Sequence, residues 1–554
     1  MPSQIELLEA ALKAAIGRAI ANGQLAGSTP ESITLSRPKN REHGDYSTSV
    51  ALQLAKAAGK EPREVAAIIL DQLKDVDSIS SMDVAGPGFI NITLKRSSQA
   101  ELVSTIINAG AKFADTNTLA GTRINLEFIS ANPTGPLHLG HTRWAAVGDS
   151  LGRVLTAAGA DVTREFYIND RGNQMDLFGA SVEAGALGTA VPEDGYKGDY
   201  IIDLARQVVA NNPAFTSLPE QDRQIAFREA AYTLQLADQQ RVLADFGTHF
   251  DIWFSERSLH DQGAVEHGVE KLRAQGHVFE DEGATWLRTT DFGDDKDRVL
   301  AKSDGSFTYF SSDTAYYINK RERGFDICIY MLGADHHGYV GRLKATAACA
   351  GDDPNFNVEI LIGQLVKIME GGQEVKLSKR AGTIITLEEL VEKTGVDAAR
   401  YTLIRYPVDT PMVMDIDLLK RSTNENPVYY VQYAHARIAA VLRNATELKI
   451  SLDIQDFDPS QLIHDRENEL LGKLAQFPRV VESAAQMRQP HRIARYLEEL
   501  AGTYHGFYAD CRVLPMGDEN PTSLHTARLL LCSSTKIVIA RALDLLGVSA
   551  PERM

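Results

Sequence analysis

RINLEFISANPTGPLHLGHTRWAAVGDSLGRVLTAAGADVTREFYI, residues 123–168, changes its periodicity several times along its length. INLEFIS reads as a strand, ANPTGP as a Pro/Gly loop, HTRWAAVGDSLGRVLTAAG as a helix and DVTREFYI as a second strand. That is a βαβ unit, and such a unit implies a parallel sheet. More strands are predicted at ICIYML, 327–332, and VEILIGQLVKI, 358–368, after a largely helical stretch. An insertion near 171–290 is therefore expected to split the sheet.

Working outward, Leu8, Leu12, Ile16 and Ile20 stand at helical spacing, and a second helical pattern follows Pro62 through Val65, Ile68, Ile69 and Leu73. Between them lies the basic, turn-rich RPKNREHGDYSTS, and the strand-like GPGFINITL closes the unit at 86–94. A small α+β unit over 1–115 is predicted, followed by the parallel-sheet domain over 116–395 and a connecting segment over 396–419. Past Leu418 the chain reads as helices, such as PVYYVQYAHARIAAVLRNA at 427–445 and LHTARLLLCSSTKIVIARALDLLG at 524–547. An α-helical bundle over 420–554 is the natural size for that segment.

The length of 554 residues is too great for one compact core. With 44% hydrophobic and 24% charged residues the composition is that of a globular protein. No stretch approaches the roughly 20 apolar residues of a membrane span. Glu6 and Glu9 stand where a signal peptide would carry positive charge, so a cytoplasmic location away from membranes is expected. Cys328, Cys349, Cys511 and Cys532 form no C-x-x-C pair, which speaks for buried free thiols over a zinc ribbon or disulfides.

The net charge of −17 argues at first against a nucleic-acid partner. Its distribution reverses the argument. Residues 420–554 hold 16 Lys+Arg against 16 Asp+Glu, so the whole acidic excess lies in residues 1–419. The C-terminal segment is neutral and rich in Arg, which allows locally positive faces.

Two short motifs carry chemistry. His138-Leu139-Gly140-His141 sits where the Pro/Gly loop becomes a helix, a place where free backbone N–H groups and the helix dipole favour phosphate. Both imidazoles can donate hydrogen bonds to phosphate oxygens, and the glycine lets a flat nucleotide approach the backbone. The bare tetrapeptide by itself fits better as a helix start with exposed histidines, or as a metal pair at i and i+3. The strand, loop and helix around it favour the nucleotide. The second motif is Lys376-Leu377-Ser378-Lys379-Arg380, flanked by Gly371-Gly372 and Gly382-Thr383. Such a loop can swing onto a triphosphate, although a solvated basic loop is the commoner meaning of such a run.

An H-x-G-H on the first crossover helix, with a K-x-S-K loop beyond the second half of the sheet, resembles the HIGH and KMSKS signatures of the class I aminoacyl-tRNA synthetases. Within that class the chain looks like the arginyl family. The resemblance rests on LEFISANPTGPLHLGH at 126–141, DRVLAKSDGSFTYFSSDTAYY at 297–317, GVDAARYTLIRY at 395–406 and the terminal PERM. Leu377 and Arg380 depart from the Met and Ser of the general signature, while Lys376 and Lys379 are kept.

The resemblance implies a Rossmann-type catalytic domain with an insertion, a small N-terminal α+β domain that binds tRNA, and a helical anticodon-binding bundle. It implies ATP as substrate with Mg²⁺, L-arginine, the tRNA specific for arginine, and a monomer. His138, His141 and Lys379 would be catalytic. Pro136, His138, Gly140, His141, Lys376, Ser378 and Lys379 would hold ATP. Arginine would be bound by Glu127, Asn132, Tyr309, Asp313 and His337, and no metal would be held by the protein itself. A planar cation with five donors suits a carboxylate and an aromatic face, and Tyr309 and Asp313 are such residues. His336 and His337 in GADHHG, read as a strand continuation, point to opposite faces, so only one is expected near the substrate.

Three other readings compete. Another class I synthetase would differ at Tyr309, Asp313 and the terminal domain. A small-molecule nucleotidyltransferase would have no use for a helical C-terminal domain of this length. A non-catalytic RNA-binding relative would have lost one of the two signatures.

Overall fold

The computed structural model describes residues 4–36, 38, 43–73, 76, 79–375 and 385–554. Its central sheet has five parallel strands: β1 (Arg123–Glu127), β2 (Asp161–Ile168), β3 (Ile252–Ser255), β4 (Ile327–Gly333) and β5 (Val358–Gly363). Their order is β5-β4-β1-β2-β3. The winding reverses at β1, which has β2 on one side and β4 on the other. Open α/β sheets take their ligands at the carboxyl ends of such strands.

Ile124 and Leu126 of β1 are fully buried, as the alternation of INLEF requires. The crossover helix α1 (Leu139–Ala157) is buried on nearly every side, because the sheet covers one face and the C-terminal helices cover the other. Gly148 permits the close fit: a Cβ there would lie 2.3 Å from the Phe128 ring.

Two features differ from the sequence reading. Three helices, Asn173–Leu187, Asp199–Asn211 and Glu220–Asp245, do follow β2 and pack around Phe178, Val182, Leu204 and Phe227. The chain then returns to the main sheet at β3, inside the span expected to be insertion. IWFS is four residues long with every position half-buried, so it carries no alternation to read. VEILIGQLVKI, expected as one strand, is divided. β5 ends at Gly363, where a Cβ would meet the Trp144 ring at 2.4 Å, and the Gln364 carbonyl accepts a 3.0 Å bond from Arg143. Val366–Glu370 then joins a separate sheet with Gln373–Glu374 and Met412–Asp415.

The N-terminal unit is a three-stranded antiparallel sheet, with Phe89–Leu94 between Tyr46–Thr48 and Ile79–Ala85. Helices Gln4–Ala21, Val50–Ala58 and Pro62–Asp71 pack with it around a core of its own. The C-terminal helices Pro427–Glu447, Asp465–Leu474, Phe477–Gln486, His491–Asp510 and Ser523–Leu545 instead share one continuous core with the central sheet. Arg400 joins the two. It is fully buried, bonds Asp149 of α1 at 2.6 Å, and also donates to the carbonyls of Phe246, Gly247 and Leu546. All four cysteines are buried and unbonded to one another. Among the described residues no helix is long and apolar enough to cross a membrane.

Candidate active site

The loop between β1 and α1 leaves the sheet through a strained turn. Ile129 and Ser130 have φ of +70° and +44°, a region that β-branched residues in particular avoid. The distortion brings the Ser130 hydroxyl within 2.9 Å of Glu127 Oε1, to which it donates, and lets it accept the Tyr167 N–H at 3.2 Å. The inserted helices then hold the Pro/Gly segment from outside. Gln239 donates to the carbonyls of Asn132 and Gly135 at 3.0 and 2.8 Å, and Tyr200 donates to that of Thr134 at 3.1 Å. Pro136 follows, half-buried, and the exposed Asn132 amide donates to Gln174 at 2.7 Å.

His138 is the N-cap of α1 and forms a reciprocal capping box with His141. His138 Nδ1 accepts the Gly140 N–H at 3.1 Å, and His141 Nδ1 accepts the His138 N–H at 3.3 Å. The two rings stack at 4.0 Å. With both Nδ1 atoms accepting, each neutral imidazole carries its proton on Nε2, so each ring offers an Nε2–H donor at a helix N-terminus. Gly140 is exposed, and a Cβ on it would press on the His138 ring at 2.9 Å.

The lysine motif, with Lys376, Leu377, Ser378, Lys379 and Arg380, lies outside the described residues. Its flanks are fixed. Val375 N–H bonds the Ile368 carbonyl at 2.9 Å. Downstream, Leu139 N–H bonds the Ile385 carbonyl at 3.1 Å and Leu387 N–H bonds the Leu137 carbonyl at 2.9 Å, so Thr386 pairs directly with His138. The chain leaving the lysine motif is thus stitched to the histidine motif.

Helix α2 (Tyr309–Glu322) carries the second group. Tyr309 opens the helix and is 76% exposed, with its hydroxyl next to Gly172. One turn on, Asp313 accepts the Tyr339 hydroxyl. Burial raises the Asp313 carboxyl to about 7, and the negative charges of Glu256 and Glu127 add to the effect. Glu256, the first residue of helix Glu256–Asp261, is 4% exposed, and its carboxyl is likewise raised by burial and by Asp170. Burial, and then the negative charges of Glu256, Asp313 and Glu127, raise the hydroxyl of Tyr167 on β2. Arg342 acts on Asp313, and Arg171 on Glu256, at a distance; among the described residues neither acid makes a salt bridge. Glu127 differs, because Lys320 Nζ lies 2.5 Å from its Oε2.

The structure therefore gathers Glu127 and Asp313 with Glu256, which the sequence reading missed. Glu256 lay within the presumed insertion, and its one readable signal was a carboxylate directly after a strand. His336 and His337 do not continue β4. They lie exposed on a 3₁₀ turn, Ala334–Tyr339, whose Tyr339 is the residue that reaches Asp313. Among the described residues no group of three His, Cys, Asp or Glu is arranged to hold a metal ion.

Comparison with known proteins adds three family matches. Residues 6–94 match the arginyl tRNA synthetase N terminal domain, 102–437 the catalytic domain of tRNA synthetases class I (R), and 431–554 the DALR anticodon binding domain. The chain is 54% identical over 544 residues to an arginine–tRNA ligase of Frankia alni, a match that spans 98% of this chain and 99% of the relative. Among solved structures, a putative arginyl-tRNA synthetase of Campylobacter jejuni aligns with a TM-score of 0.75 at 32% identity, over 83% of this chain and all of the other. The arginyl-tRNA synthetase of Thermus thermophilus aligns with a TM-score of 0.76 at 22% identity, over 99% of this chain and all of the other, a likeness of fold.

Proposed function

The chain belongs to the arginyl-tRNA synthetases of class I, and we propose that it divides its reaction between the histidine-capped start of α1, which takes ATP, and the acidic pocket of α2, which takes arginine. The overall reaction is that of an arginine–tRNA ligase. The arginine carboxylate attacks the α-phosphorus of ATP and pyrophosphate leaves. The terminal ribose hydroxyl of tRNA then attacks the adenylate carbonyl, and AMP leaves. Neither step requires a covalent bond to a side chain, so positioning and electrostatics do the work.

In this reading ATP enters as its Mg²⁺ complex, with the ion held by the triphosphate oxygens. Pro136 and Gly140 leave the nucleotide room. His138 and His141 donate from Nε2 to the phosphates, and Lys376, Ser378 and Lys379 act on the departing pyrophosphate. The bonds from Leu137 and Leu139 to residues 385–387 support that last assignment, since they hold the chain that follows the lysine motif in sequence beside His138.

The observation that carries the amino-acid assignment is the pair Asp313 and Glu256, two enclosed carboxylates without a salt bridge among the described residues. A guanidinium satisfies both through its planar fork and can lie against Tyr309. Glu127, at the end of β1, and Asn132, on the turn toward α1, hold the α-amino and carboxylate end. His337 stands at the rim on the turn that carries Tyr339.

On the bundle, Tyr429 and Tyr433 stack at 6.1 Å, and the Arg437 guanidinium lies 4.3 Å from the centre of the Tyr508 ring. Aromatic faces beside a cation suit unstacked bases, which favours this surface for the tRNA. We assign residues 1–115 to tRNA binding, 116–395 to catalysis and 420–554 to the anticodon, in a cytoplasmic monomer. Steady-state aminoacylation of Glu256→Gln tests the pocket. Its KM for arginine should rise at least tenfold while that for ATP holds. An unchanged arginine KM would remove Glu256 from the site.

A further inference from the structure

Tyr309, Asp313, Tyr316 and Lys320 stand at i, i+4, i+7 and i+11 of α2, which places them on one face of the helix. Exposure falls along that stripe, from 76% at Tyr309 to 5% at Tyr316 and none at Lys320. The stripe therefore begins at solvent and ends in a buried ammonium. Lys320 Nζ lies 3.9 Å from the Tyr330 ring centre and 4.4 Å from that of Tyr316, and it bonds Glu127 Oε2 at 2.5 Å. The other oxygen of Glu127 is held by Ser130, in the strained turn that leads to Asn132.

From this geometry we infer that Lys320 is a positioning residue for arginine selection: a built-in cation that occupies Glu127 from behind and so fixes both the charge of the pocket and the turn bearing Asn132. The inference rests on the arginine-pocket reading above. A pocket with three open acids would hold more negative charge than one guanidinium can match, and like-charged carboxyls so close would take up protons instead. Lys320 cancels one of the three. The two left without a salt bridge among the described residues, Asp313 and Glu256, are those assigned above to the guanidinium.

The groups that face Asp313 are Glu127 of β1, Tyr167 of β2, Glu256, Tyr339 and Arg342, with Lys320 acting through Glu127. Removing the ammonium leaves Glu127 uncompensated. Whichever carboxyl then takes the proton, the pocket holds one more at a given pH, and the acidic limb of kcat/KM for arginine moves upward.

The experiment is that pH profile for wild type, Lys320→Met, Glu127→Gln and the double variant, with Asp313→Asn as control. Lys320→Met should move the limb up by about one pH unit and raise the arginine KM with little change in that for ATP. Glu127→Gln should move the limb down, and the double variant should bring it back near the wild-type position. Movement of both single variants in the same direction, or no movement in either, overturns the inference. If Lys320→Met does not fold, Glu127→Gln and the double variant decide alone: a lowered limb that the second substitution restores supports the role, and one that it leaves in place overturns it. Failure of the pocket reading looks different. There Asp313→Asn leaves the arginine KM and the limb unchanged, and the Lys320 inference falls with it.

Discussion

His138 and His141 fix each other: the backbone N–H of the first bonds Nδ1 of the second at 3.3 Å, and their rings stack at 4.0 Å. On the proposed reading His138 serves both as helix cap and as phosphate donor, and the two roles can be separated. Asparagine caps a helix as well as any residue but offers no Nε2–H in the imidazole position. His138→Asn should therefore keep the thermal midpoint within a few degrees and slow aminoacylation by roughly a hundredfold to a thousandfold. His138→Ala should lose the rate and also about 1 kcal/mol of stability. Calorimetry and steady-state kinetics on both variants separate cap from donor; a normal rate in His138→Asn would leave only the cap.

The Asp313 carboxyl, raised to about 7, gives a pH dependence with a definite sign. An unfolded aspartate has lost its proton above about pH 4, whereas folded Asp313 keeps one until about 7, so this group's contribution to stability declines as pH rises between those values. On the proposed reading, arginine binds the charged form. The rise in thermal midpoint on adding arginine should therefore be larger at pH 8 than at pH 6, and Asp313→Asn should abolish the difference. Equal arginine shifts at both pH values in the wild type would contradict the assignment.

Arg400 ties α1 to the end of the last helix, and Gly547 makes room for it: a Cβ there would fall 2.2 Å from its guanidinium. Arg400→Met removes a buried ion pair and orphans three carbonyls, at a cost of about 3 kcal/mol. Gly547→Ala, at φ +64°, should lower the midpoint for the same reason. Denaturant unfolding of the two variants and of their combination checks this. The double variant should lose less than the sum, because both act on one contact.

Deleting residues 420–554 would expose the core that the bundle shares with the sheet, so the RNA contact is better tested on the surface. Tyr433→Ala and Arg437→Ala should each raise the KM for tRNA while leaving those for arginine and ATP alone. A lost base stack is worth about 1–3 kcal/mol, or roughly fivefold to a hundredfold. Binding should also weaken with salt. Unchanged tRNA affinity in both variants would place the contact elsewhere.

The βαβ unit and the helices of the bundle were legible because their periods run over many residues. Strand β3 was not, since four half-buried residues have no period. The break at Gly363 depends on Trp144 and Arg143, more than 200 positions away. Asp313 and Tyr309 could be proposed from resemblance and residue type. Glu256 could not, because it is brought to the pocket by β3. Lys320 was readable only as one more position on a helix whose inward face had not been identified. Both gaps have one cause: a pocket's charge is a sum over strands and helices that meet only in the fold.

The most direct test of the acidic pocket is the pair of KM values, for arginine and for ATP, in Asp313→Asn. The substitution keeps shape and removes charge from the carboxyl that burial and Glu256 hold near 7. A hydrogen bond to a charged group contributes about 1.5–3 kcal/mol, so the arginine KM should rise by roughly tenfold to a hundredfold while that for ATP stays within about twofold. A rise of the same size in both values, or in neither, would contradict the assignment of this pocket to the guanidinium.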